Sequence, residues 1–167
     1  VRHVYLASRF ERQAELKELA CLMWAAGGYV ITSRWLDHDG GLSVGPGKDS
    51  VTAAAWAQKD LDDVTLADTL VLFTDTNPVP RGGSNVELGY ALALGKRCIV
   101  VGPRVNVFHY GAGVEWVPTL AEFRERFCDC PKVIEVGEAS LRPASVGVVA
   151  DVKTTLLTPW LGSEEPE

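Results

Sequence analysis

The chain is poor in the side chains that hold metals or run redox chemistry. It has four cysteines, three histidines and one methionine in 167 residues. Cys128-Asp129-Cys130 is a lone C-x-C pair, whereas a zinc site wants four ligands at recognisable spacing. No metal is therefore expected. Positive charge is also short: 16 basic residues stand against 22 acidic ones, a net charge of −6. That argues against a nucleic-acid polymer as partner, but not against a mononucleotide, which needs only one or two local cations. No apolar run approaches the roughly 20 residues of a membrane span, so no membrane is expected. The N-terminus lacks the charged, apolar, small-residue order of a signal peptide, and a cytoplasmic location is the expectation.

What remains is an ordinary globular composition, 47% apolar and 23% charged, in a chain long enough for one domain with a full core. Apolar runs at 3–7, 29–33, 69–74, 97–101 and 114–117 read as strands. Helical patterns lie between and after them, at 9–26, 50–66, 84–94 and 118–127. Ser8-x-x-Glu11 reads as a capping box for the first helix, Gly27-Gly28 as its end, and Ser50 as the cap of the second. Cys21 and Cys98 fall in apolar patterns and are expected in the core. Strands alternating with helices predict an α/β fold: a three-layer sandwich around a five-stranded parallel sheet, in the order 2-1-3-4-5. Residues 34–49 form a polar, glycine-rich stretch. A loop of that length in a compact domain is commonly functional, and a lid at 40–47 is the expectation. Residues 1–130 make the α/β domain. Residues 131–167 break the rhythm and read as a C-terminal extension with edge strands at 133–136 and 146–150. Its acidic end, 162–167, is expected to fray.

The chemistry concentrates in Arg81-Gly82-Gly83-Ser84-Asn85-Val86-Glu87-Leu88-Gly89. This stretch joins the third strand to the third helix. In open α/β sheets, ligands bind outside the carboxyl ends of the strands. Two glycines admit a ligand close to the backbone, and Glu87 lies one turn inside the helix. Two readings are open at Glu87. It is a carboxylate facing a ligand, or it is the far half of a capping box with Ser84. Asp60, in Gln58-Lys59-Asp60-Leu61-Asp62-Asp63, poses the same choice. Acidic residues at a helix C-terminus oppose the dipole, so the cluster is either a solvated face or a used one.

Together these residues form a pattern that resembles the nucleoside 2-deoxyribosyltransferase family, which includes the deoxynucleoside 5′-monophosphate N-glycosidases. It is carried by Val4-Tyr5-Leu6-Ala7-Ser8, by Asp60-Leu61 with Ala67-Asp68, and by Gly83-Ser84-x-x-Glu87-Leu88-Gly89-x-Ala91-x-Ala93-x-Gly95-Lys96. It covers roughly residues 3–127. The resemblance implies a flavodoxin-like sheet and an enzyme that cleaves the N-glycosidic bond of 2′-deoxynucleosides or their 5′-monophosphates with no metal and no organic cofactor. Glu87 would attack the sugar C1′ and form a covalent intermediate, with transfer to another base or to water. Asp60 would handle the proton and Tyr5 would orient Glu87. Asp60 must then be partly buried or near another carboxylate. Ser8 would sit near the sugar or a phosphate. The family also lends a polar residue across a homodimer or higher oligomer, and Asn106 is the candidate here.

One departure stands out. The transferases commonly carry an aspartate six residues before the nucleophile, and this chain has Arg81. An arginine donates in a fork that suits phosphate. Arg81, the Gly82 and Gly83 amides and Ser84 would make an anion site at a helix N-terminus, which leans toward a 5′-monophosphate hydrolase. Gly82-Gly83-Ser84-x-x-Glu87 also partly echoes the ribonucleotide phosphoribohydrolases, without their second Gly-Thr. A nucleotide-sensing module of the same fold is the non-catalytic alternative. His109 reads as a loop histidine. Phe10, Trp35 and Trp56 are aromatic candidates for stacking on a base, or core residues.

Overall fold

The computed structural model describes residues 1–37, 50–76 and 82–128. Arg81, the 38–49 part of the glycine-rich stretch, Cys130 and the expected C-terminal extension lie outside the described residues.

Five strands form one parallel sheet: β1 (Arg2–Ala7), β2 (Tyr29–Ile31), β3 (Thr69–Phe73), β4 (Arg97–Val101) and β5 (Val114–Val117). Their order is β2-β1-β3-β4-β5, as the alternation of elements predicts. Among the described residues four α-helices connect and flank them: α1 (Gln13–Ala26), α2 (Ser50–Leu66), α3 (Gly83–Ala93) and α4 (Leu120–Phe127). This is the flavodoxin-like arrangement, and the chain reverses its direction across the sheet between β1 and β3. Tyr5 pairs with Leu70 there, and Ala7 with Leu72.

Side chains of a strand alternate between faces, and the two cores follow that period. Val4 and Leu6 of β1 join Val71, Ile99 and the α1 residues Leu16, Leu19 and Met23. Tyr5 and Ala7 point the other way, into a core with Leu70, Leu72, Val64 of α2 and Leu88 and Ala91 of α3. The β1 register therefore sends Tyr5 to the layer that carries Asp60 and Glu87.

Several local expectations change. Ser8 caps nothing. Its hydroxyl donates to the Phe73 carbonyl at 2.9 Å, tying the end of β1 to the end of β3. A 3-10 turn at Phe10–Arg12 precedes α1, and its N-cap is Arg9, whose side chain makes no capping bond. The last helix is opened by Thr119, whose hydroxyl accepts from the Glu122 amide, rather than by Pro118. Cys21 is exposed while Cys98 is buried. The buried positions of α1 are Leu16, Leu19 and Met23, and Cys21 lies off that stripe, as does Trp24 at 71% exposure. Residues 34–37, expected as loop, form a 3-10 turn. No helix among the described residues is long and apolar enough to cross a membrane.

Candidate active site

The site is assembled at the carboxyl ends of β1 and β3. There the chain leaves β3 and, after residues outside the described set, enters α3 through Gly82. Gly82 has φ +80°, a conformation that suits glycine. It is the N-cap of α3 and offers no side-chain bond. The helix thus begins at Gly83, one residue before the expected start, and Ser84 falls inside the first turn. No Ser84–Glu87 capping box forms. The reading of Glu87 as a helix cap is removed by that shift, and the first-turn amides of α3 keep no side-chain acceptor from the cap position.

Glu87 is set deep among protein atoms yet keeps some accessible surface. Burial, then the charge of Asp60, pushes its carboxyl up to about 7, and its interaction with Tyr5 works against that rise. Asp60, half-buried on α2, is pushed up to about 6 by burial and by Asp63, with Arg34 opposing. Asp60 is close enough for its charge to disfavour that of Glu87.

Tyr5 has no accessible surface. Burial, followed by the charges of Glu87 and Asp60, holds its phenol far above the usual range, so it is a neutral O–H donor. Its hydroxyl interacts with Glu87, but outside the geometry of a formed hydrogen bond. It is among the four buried polar side-chain atoms of the described residues that lack a bonded partner. Tyr5, Asp60 and Glu87, from β1, α2 and α3, are thus brought together.

Asp63 supports this group from one turn further along α2. Its carboxylate accepts from the Arg34 amide at 2.9 Å and from Arg34 Nε at 2.7 Å. Its side chain is 2% exposed against 53% for Arg34. The acidic cluster of α2 is therefore no uniform solvated face: Asp62 is exposed, Asp60 half-buried and Asp63 buried.

Ser8 stands at the mouth of β1, where its bond to Phe73 leaves the oxygen able to accept. Beside it, Arg9 pairs with Asp75 at 2.6 Å. Asn106 is not at this group within one chain's own contacts. Its side-chain oxygen accepts from the Phe108 amide and caps the 3-10 turn Val107–Tyr110. Trp35 is held as structure, its indole N–H donating to the Leu6 carbonyl at 2.8 Å. Trp56 lies under the Lys59 ammonium.

His109 departs from the sequence reading. It lies in the 3-10 turn, fully sealed from solvent though close beneath the surface. Its Nε2 is 3.1 Å from Asn85 Oδ1, on the first turn of α3. A single histidine without spacing partners gave no signal. Its apolar and aromatic neighbours Val105, Val107, Phe108 and Tyr110 are exposed, so they do not mark the buried position.

No protein-family model matches the chain, and no curated protein sequence matches it. Solved structures do. The chain is similar to a CMP N-glycosidase of Clostridium botulinum, at 18% identity over 74% of this chain and 94% of that one, with a TM-score of 0.50. It is also similar to a 2-deoxyribosyltransferase of Bacillus psychrosaccharolyticus, at 20% identity over 64% of this chain and 78% of that one, with a TM-score of 0.51. At that level of identity the likeness establishes the shared fold.

Proposed function

We propose that this chain is an enzyme of the nucleoside 2-deoxyribosyltransferase type, cleaving the N-glycosidic bond of 2′-deoxynucleosides or their 5′-monophosphates with Glu87 as nucleophile. The observation that carries this reading is the grouping of Glu87, Asp60 and Tyr5 at the β1/β3 crossing, with both carboxyls raised toward neutrality. The names of the two similar structures, a nucleotide N-glycosidase and a deoxyribosyltransferase, support it as analogy of fold.

In the first step a Glu87 carboxylate oxygen bonds to C1′ and the C1′–N bond breaks. The bonding pair leaves with the base, and Asp60 gives the base its proton. In the second step water or another base attacks C1′, the ester to Glu87 breaks, and Asp60 accepts the proton. Two displacements retain the configuration at C1′. The reaction needs Glu87 ionised and Asp60 protonated, whereas in the empty cleft the deeper Glu87 holds a proton more tightly. The charge of Asp60 disfavours that of Glu87, so the proton on Glu87 must pass to Asp60 before attack. An electron-poor C1′ against Glu87 and a basic leaving nitrogen against Asp60 would move that proton to Asp60.

A second reading, the 5′-monophosphate hydrolase, is favoured by the entry to α3. The helix N-terminus has no side-chain cap, a Cβ at Gly83 would meet no neighbour within 4 Å, and Arg81 precedes it directly in sequence. The amides and dipole of a helix N-terminus suit a phosphate, and the Arg81 guanidinium would add positive charge to that site. Ser84 and Ser8 would add hydroxyls. In a homo-oligomer Asn106 would lend its amide N–H groups to a neighbouring cleft, its oxygen already being used as a cap.

The test is chromatographic. The protein is incubated with a deoxynucleoside and a different free base, and separately with the matching 5′-monophosphate alone. A new deoxynucleoside identifies transfer, and free base from the monophosphate identifies hydrolysis. Turnover of ribonucleotides alone would move the reading to a phosphoribohydrolase. Ligand binding without turnover in any tube would leave a nucleotide-sensing module and remove Glu87 from catalysis.

A further inference from the structure

His109 is buried without exposed surface, and only one of its two ring nitrogens is bonded. Nε2 meets Asn85 Oδ1 at 3.1 Å, while Nδ1 has no partner. A buried polar atom left unpaired costs about 1–3 kcal/mol, so a histidine here is an expensive way to fill space. Its one bond reaches a sensitive place. Asn85 stands in the first turn of α3, two residues before Glu87, and its amide donates to the Gly82 carbonyl at 3.0 Å. That turn begins at a left-handed glycine with no side-chain cap. The other side-chain bond shown for α3, between Tyr90 and Thr65 at 3.2 Å, lies well past Glu87.

The burial pattern also selects a tautomer. With the proton on Nε2, His109 donates to Asn85 and the orphan at Nδ1 is a lone pair. With the proton on Nδ1, the orphan is a buried N–H. Unpaired buried N–H groups are the rarer and costlier of the two. Burial, and then the cation of Arg104 just before the turn, disfavour the imidazolium. Arg104 Nε is itself a buried N–H without a partner, of the sign that complements a bare Nδ1.

We propose that His109, neutral and protonated on Nε2, is a positioning residue that holds Asn85, and through it the first turn of α3, so that Glu87 is presented to the reacting carbon at a fixed depth. This rests on the reading of Glu87 as nucleophile. A small displacement of a reacting group costs tenfold to about a hundredfold in rate.

The test compares His109→Leu, His109→Gln, Asn85→Ala and the His109→Leu/Asn85→Ala double variant, each assayed well below its melting temperature. The expected result is a kcat about tenfold or more below the parent in H109L and N85A, with KM within about twofold. The double variant should be no slower than the slower single one, because one bond is being removed twice. H109Q, which keeps an N–H donor, should recover most of the rate. A nuclear-magnetic-resonance titration supplies a readout free of turnover. It should show His109 protonated on Nε2, and in H109L the Glu87 carboxyl should move down from about 7 as the loosened turn admits water. An unchanged kcat in H109L, additive losses in the double variant, or an unmoved Glu87 titration would each overturn the proposal. A parent protein inactive on every nucleoside and nucleotide would overturn the nucleophile reading instead, and the titration would still decide whether His109 sets the depth of Glu87.

Discussion

At neutral pH the Glu87 carboxyl is near the midpoint of its titration, and this has consequences for both stability and rate. Folding raises its pKa from an ordinary 4.5 to about 7, so the folded chain binds that proton more tightly than the unfolded one. Its contribution to stability is intact below about pH 4.5 and is lost as pH rises through about 7. Glu87→Gln removes the cost of ionising a buried group. The variant should be more stable than the parent by about 1–3 kcal/mol at pH 8 and close to it at pH 5, while losing turnover; denaturant melts at the two pH values measure the first part. Tyr5→Phe should separate stability from rate in the same way. The hydroxyl has no bonded partner, so its removal should leave the melting temperature unchanged or slightly higher. It also takes away the group that favours the Glu87 anion, so kcat/KM should fall and its acid limb should move to higher pH. Tyr5 was legible from the alternation of β1 together with the family pattern. His109 was not, because its side-chain hydrogen-bond partner, Asn85, is 24 residues away in sequence.

Among the elements, the joint between the 3-10 turn at 34–37 and α2 tunes the site from outside it. Asp63 raises the Asp60 carboxyl and Arg34 lowers it, so the two partners of one ion pair should act in opposite directions. If Asp60 is the general acid, the alkaline limb of the pH–rate profile should move down in Asp63→Asn and up in Arg34→Ala. Both changes should destabilise by about 1–4 kcal/mol, with R34A the worse because it strands a buried charge. Limbs that move together would break the link between this pair and Asp60. Helix starts were the least legible features of the sequence. Ser84-x-x-Glu87 has the form of a capping box, but a left-handed Gly82 starts the helix one residue earlier and puts Ser84 out of register. Ser8 likewise has the form of a cap, and a carbonyl across the sheet claims its hydroxyl. Both are cases in which tertiary geometry overrides a local signal.

For the molecule as a whole, the sheet order was readable because α-helices separate β1 from β2, β2 from β3 and β3 from β4, with a 3-10 turn between β4 and β5, and right-handed crossovers leave few arrangements. The same topology explains why the site lies where it does. β1 and β3 are neighbours although a strand and two helices separate them in sequence. Their carboxyl ends open the crevice in which ligands of such sheets bind. What the sequence could not reveal is how the cleft's charges balance, since that depends on depth, and depth is set by packing. The most direct test of the central claim is the mass of the intact protein, acid-quenched during turnover of a 2′-deoxynucleoside or its 5′-monophosphate. An added deoxyribosyl group, mapped to the peptide that contains Glu87 and absent in E87Q, is the expected result. Turnover with no adduct on the parent, or an adduct that persists in E87Q, would contradict Glu87 as the nucleophile.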